Sequence, residues 1–288
     1  MDGGELGPAW DFALAAPNSA PGVATMVGYR GLDVPDTVHL GLPSASLTFI
    51  LSLDQGVEAA ETLDRVAYAR PNPILLSGLH LRASHVHQRP GQAGVQLAVH
   101  PLAARTLFGV PASELSVSDY DGAALLGRRA AQVQDRLTGA KGWDEAFALI
   151  CRYLIEQHRD NEDAAPRHEV LHAWHLLRRT HGRFPVGELA REVGVSARHL
   201  GTLFRREVGL TPKSAALLMR FEHARALMTE SVRRHGHVDL ARVAGASGYS
   251  DQAHLSGEFV RFVGAPPRTW LAGEFRNIQD GAHISSAE

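Results

Sequence analysis

Arginine, glutamine and histidine side chains spaced along one face of a helix can hydrogen-bond to flat polar edges and to anionic oxygens. The chain carries two such sets. One is Arg198, Gly201, Thr202, Arg205 and Arg206; the other is Gln252, Ala253, His254, Gly257 and Arg261. A guanidinium pairs bidentately with a guanine edge, and a carboxamide with an adenine edge. Arg205, Arg206 and Arg261 fall toward the ends of their segments, where phosphate contact is the expected role. A third set, His80, Arg82, His85 and His87, sits in a strand-rich stretch. Its members suit the lining of an effector pocket. His85 and His87, two apart on a strand, would share a face and could hold a metal. No carboxylate follows them until Glu114, so no metal is assigned. Ordinary surface or core histidines are the third reading.

Both helical sets belong to an internal repeat. His199-Leu200, Phe204, Arg206, Val208, Gly209 and Pro212 recur 55 positions later as His254-Leu255, Phe259, Arg261, Val263, Gly264 and Pro267. Upstream, Leu189-Ala190, Gly194 and Ser196 recur at an offset of 54 as Val243-Ala244, Gly248 and Ser250, which implies one extra residue in the second turn. Each copy reads as helix, tight turn, helix. Gly194 and Gly248 stand where a sharp turn favours positive φ. Ser196 in the first copy, and Ser250 or Asp251 in the second, can cap the following helix by accepting from a free backbone N–H. Leu200, Leu203, Phe204, Leu255 and Phe259 point inward by spacing, which leaves the two polar sets facing out. Gly201 and Gly257 lie inside these helices, where glycine costs about 1 kcal/mol relative to alanine.

The rest of the 288 residues forms a different kind of text. Residues 1–22 are rich in Gly, Ala and Pro and read as loosely ordered. Ser46–Leu53 and Gly94–His100 read as strands between Pro and Gly punctuation, which predicts a small β-sandwich or barrel. Trp143, Phe147, Ile150 and Leu154 form the stripe of an amphipathic helix, either packed on the β region or serving as a dimer contact. Residues 160–166 are polar and end in proline, the best boundary. Residues 167–276 carry 17 basic and 10 acidic side chains, whereas residues 1–166 carry 12 and 19. A basic segment beside an acidic one predicts that only the former meets a polyanion. His168, His172 and His175 could hold zinc by spacing, but a solvated polar face is the expected reading. The single cysteine, Cys151, excludes an intrachain disulfide and is expected to be a small core residue. No basic-then-apolar leader and no run of about 20 apolar residues appears, so a cytoplasmic chain without membrane contact is expected.

From Gly194-Val195-Ser196-Ala197-Arg198-His199-Leu200 through Phe204 and Gly209 to Pro212, the first copy resembles the first half of the AraC/XylS family DNA-binding domain. Gly248-Tyr249-Ser250-Asp251-Gln252-Ala253-His254-Leu255, with Phe259, Gly264 and Pro267, resembles the second half. The likeness covers about residues 168–275. It implies a sequence-specific transcription regulator, not an enzyme, whose residues 214–229 form a long linking helix. That helix would set both recognition helices into successive major grooves of double-stranded DNA, roughly 34 Å apart. Gly201 and Gly257 depart from the larger base-reading side chains usual in the family. Residues 88–97 and 101–111 resemble the sensor halves of some members, which are often cupin-like.

The expected organisation is therefore α+β. A cupin-like sensor with a helical connector spans 23–160, a double helix-turn-helix domain spans 167–276, and a tail covers 277–288. A small-molecule effector, a homodimer partner and RNA polymerase are implied; no cofactor is. The alternative is a metal-dependent cupin enzyme with an accessory helical domain.

Overall fold

The computed structural model describes residues 10–279. Its N-terminal half is two facing antiparallel sheets. Strands β1 (Trp10–Leu14), β2 (Val23–Gly31), β4 (Leu47–Ser52), β6 (Ile74–Ser77) and β8 (Ala93–Val99) form a five-stranded sheet in the order β1-β2-β8-β4-β6. Strands β3 (Thr37–Gly41), β5 (Ala59–Ala60) and β7 (Ser84–Gln88) form a smaller sheet in the order β3-β7-β5. The four-residue helix α1 (Leu63–Val66) follows β5. Alternation decides the faces of the large sheet. Phe49, Leu51, Val95, Leu97 and Val99 are fully buried against helices. Ile50, with Leu75 and Val57, belongs to a separate cluster on the side of the small sheet.

The helices on the large sheet are α2 (Ala104–Phe108), α3 (Gly122–Leu137) and α4 (Trp143–Asp160). α3 breaks at Gly127, whose φ of 68° interrupts its helical backbone. The stripe expected from Trp143, Phe147, Ile150 and Leu154 lies on α4. Phe147, Ile150 and Leu154 are buried in the main core and Trp143 packs against its edge, so the stripe is consumed inside this half. Trp10–Leu14 differs from the expected loose start: it pairs residue by residue with Val27–Gly31, and Trp10 lies near Phe12 and Tyr29. Cross-strand pairing outweighed a Gly- and Pro-rich neighbourhood. Residues 1–9 and 280–288, part of the expected loose start and tail, lie outside the described residues; residues 277–279 continue the last helix.

After α4 the chain passes a short 3-10 turn, Glu162–Ala164, and becomes all helical. The helices are α5 (His168–Arg179), α6 (Val186–Glu192), α7 (Ala197–Val208), α8 (Pro212–His235), α9 (Leu240–Ala246), α10 (Gln252–Val263) and α11 (Pro267–Gln279). α8 has 24 residues, which makes it about 36 Å long. Ala215, Leu218, Phe221, Ala224, Met228 and Val232 bury one face of it at helical spacing. The main core is continuous between the halves, running from Phe49 and Phe108 to Trp174, Phe204 and Phe221. Among the described residues no helix is long and apolar enough to cross a membrane.

Candidate nucleic-acid interface

In the first repeat, α6 buries Leu189 and Ala190 and ends at Gly194, whose φ is +74°. A Cβ there would meet no atom within 4 Å, so the backbone angle rather than space calls for glycine. The Val195 N–H donates to Ala190 O at 2.9 Å and closes the turn. Ser196 then caps α7, its Oγ accepting from His199 N at 3.2 Å. α7 buries Leu200, Leu203, Phe204, Glu207 and Val208.

The second repeat repeats this construction. Asp239 caps α9 by accepting from Ala241 N and Arg242 N. Gly248 turns at φ +77°, and Tyr249 N donates to Ala244 O at 3.0 Å. The cap of α10 is Asp251, which accepts from His254 N at 2.8 Å. That hydrogen bond holds the Asp251 carboxyl below its usual pKa. Ser250 is therefore the extra residue of the second turn. Its hydroxyl instead lies 3.1 Å from Asp251 Oδ2 and 3.2 Å from His254 Nδ1.

The residues expected to face DNA are accessible on both helices. Arg198, Thr202, Arg205 and Arg206 are exposed on α7, with Gly201 half-exposed among them; Gln252, Ala253, His254, Gly257 and Arg261 are exposed on α10. Their surroundings differ. Among the described residues, Arg198, Arg205 and Arg206 pair with no carboxylate, whereas Arg261 is held by Glu258 at 3.2 Å and lies over the Phe262 ring. Thr202 Oγ1 donates back to Arg198 O at 3.1 Å.

The N-terminal half grips the far end of α7. Arg105 of α2 donates from Nε and Nη2 to both oxygens of Glu207, at 2.8 and 3.2 Å. Ser113 Oγ donates to Arg206 O at 2.5 Å. Glu207 is only 6% exposed. The sequence does signal this residue: it sits at the inward phase of α7, seven positions after Leu200, where a carboxylate needs a partner. A second join runs from Ser44 Oγ to Glu222 on α8 at 2.8 Å, and Arg178 of α5 reaches the same carboxylate at 3.2 Å. A third is His100, whose ring packs edge-on against Trp174 of α5. Burial, with the nearby Arg178 and His175, depresses its pKa to about 4.

Between the two sheets lies a cavity of about 320 Å³ that reaches α8. Phe12, Val27, Tyr29, Ile50, Leu75 and Val86 supply apolar walls, and Gln88, Gln92, Gln96, Glu222 and Arg225 supply polar groups. Glu222 and Arg225 escaped the sequence reading. The linking helix carries other charges, among them Arg220 and Glu230, so no signal in the sequence singles these two out.

The four residues expected to line a pocket separate here. His80 lines the cavity, donating from Nδ1 to Arg82 O at 2.6 Å, and burial lowers its pKa. Arg82 is exposed and does not line it. On β7 the cavity takes Ser84, Val86 and Gln88, so His85 and His87 alternate to the other face. His87 lies between Asp36 at 2.8 Å and Glu58 at 2.7 Å, which raise its pKa. Both ring nitrogens are thus engaged. Among the described residues no three His, Cys, Asp or Glu side chains are grouped to hold a metal.

Comparison with known proteins agrees with this architecture. Residues 189–273 match a family described as a helix-turn-helix domain. A 1.65 Å structure of ToxT from Vibrio cholerae aligns with 92% of this chain and 98% of its own at 9% identity, with a TM-score of 0.51. ToxT bound to (E)-4-(8-methylnaphthalen-1-yl)but-3-enoic acid aligns over the same shares at 10% identity, also with a TM-score of 0.51. At these identities the likeness is one of fold. No curated protein sequence matches the chain. Residues 189–273 are a helix-turn-helix domain, joined to a β-rich half in the fold that ToxT shares.

Proposed function

We propose that the chain is a sequence-specific, DNA-binding transcription regulator that answers to an effector held in its β-rich half. The observation that carries this reading is the pair of capped, turn-positioned helices α7 and α10, each exposing polar side chains along one face. A helix fits the major groove and reads base edges from its N-terminal turns. Arg198, Thr202, Gln252 and His254 stand on those turns, beside the small Gly201, Ala253 and Gly257, which let the backbone approach. Arg206 and Arg261 take phosphates. The division at 23–160 and 167–276 separates sensing from binding. Following the AraC/XylS resemblance, the chain works in the cytoplasm as a homodimer, meets RNA polymerase on DNA, and catalyses no reaction.

The cavity supports the sensing role. Its walls mix apolar and polar side chains from the strands, and its charged groups Glu222 and Arg225 stand on the linking helix that joins both repeats. An effector with an apolar body and a polar end fits it; ToxT binds such a molecule, an aromatic butenoic acid. Occupation would press on α8 through Glu222 and Arg225.

Selection of duplexes from a random pool by the full chain tests the reading. The expected result is a recurring sequence whose affinity falls steeply with salt, since each phosphate contact releases counterions. Equal, weak binding to every duplex would overturn it.

A further inference from the structure

We propose that Arg205, rather than the residue at 201, is the guanine-reading side chain of α7. This rests on the reading of the chain as a sequence-specific DNA-binding protein. Gly201 stands on the accessible face of the helix, and the space its side chain would fill is open. A Cβ built there meets just one atom within 4 Å, Arg205 Nη1 at 3.7 Å. The same nitrogen donates to Gly201 O at 3.4 Å. The Arg205 guanidinium therefore lies one turn back from its own Cα, over the glycine, toward the end of α7 that enters a groove. Long helical side chains lean toward the N-terminus in this way. No carboxylate draws it aside among the described residues.

The second repeat lacks the device. The position equivalent to Arg205, 55 residues on, is Val260, an apolar side chain 43% exposed. The arginine nearest to it, Arg261, is turned onto Glu258 and Phe262. The reach across a glycine is thus particular to α7, and the fork it delivers suits the O6 and N7 acceptors of guanine.

The test uses the full chain and the duplex sequence that the wild type selects from a random pool, with each base pair then varied. Arg205→Ala should lose roughly 10- to 100-fold on that duplex and become indifferent to a single G·C pair, as expected for one bidentate contact. Arg205→Lys keeps the charge but not the fork. It should lose the same discrimination while the salt slope stays unchanged. Gly201→Leu should displace the guanidinium and reproduce that loss. Arg206→Ala should weaken all duplexes alike and reduce the salt slope by about one. Unchanged far-ultraviolet circular dichroism confirms that each variant folds. If Arg205→Ala behaves as Arg206→Ala is expected to, or Gly201→Leu keeps full discrimination, the inference is overturned while the function stands. A wild type that selects no sequence removes both.

Discussion

The two helix-turn-helix repeats share a scaffold and differ in how they are fastened. Both turn on a glycine in the left-handed region, and both cap the second helix with a side-chain oxygen. At equivalent positions, 55 apart, the first carries Glu207 and the second Phe262. Both are buried. Glu207 faces Arg105 of the β-rich half, whereas Phe262 packs 4.7 Å from Phe221 of the linking helix. One exchange at an inward position thus replaces a side-chain ion pair with the β-rich half by a ring contact within the helical half, while the backbone of Phe262 still joins the β-rich half, its O accepting from Ala83 N at 2.7 Å. Duplicating a scaffold does not duplicate its attachments.

Phe262→Ala should have the largest effect, a loss of about 3–5 kcal/mol in urea unfolding, because it opens a cavity in a packed core. No change in residues 23–160 should restore it; rescue from that side would break the comparison. Arg105→Ala should lose about 3 kcal/mol by leaving a buried carboxylate unpaired, with the Arg105→Met, Glu207→Leu double variant recovering most of it. A fully additive double variant would mean that the pair is not a latch.

Acid should loosen another join between the halves, that of His100 with Trp174. His100 is held neutral in the folded chain with a pKa of about 4, against about 6.5 unfolded. Its contribution is therefore complete above pH 6.5 and is lost as pH falls toward 4. Urea midpoints at pH 7 and pH 5 should converge in His100→Gln relative to wild type.

Ser196→Ala should remove about 1 kcal/mol at all pH values, since a hydroxyl cap does not titrate. The Asp251 cap differs. Its pKa is lowered in the folded state, so its stabilisation is present above about pH 4 and fades as pH falls through the lower folded value. Comparing Asp251→Asn with Ser196→Ala across acid pH sharpens the contrast between the repeats.

Apart from the long linking helix, which the AraC/XylS resemblance implied, the sequence alone determined the repeat, its glycine turns and the outward set from Arg198 to Arg261. These rest on helix periodicity and capping, which act between residues at most a few positions apart. It also placed strands at Ser46–Leu53 and Gly94–His100, but not their partners or faces. Tertiary structure decided that Trp10–Leu14 is a strand, that His85 and His87 turn from the cavity, and that Asp251 rather than Ser250 caps α10. It also decided that Glu207, Glu222 and Arg225 matter. A strand's face depends on register against strands distant in sequence, and a buried charge depends on a partner such as Arg105, 102 residues away. Neither relation has a local period that could be read along the chain.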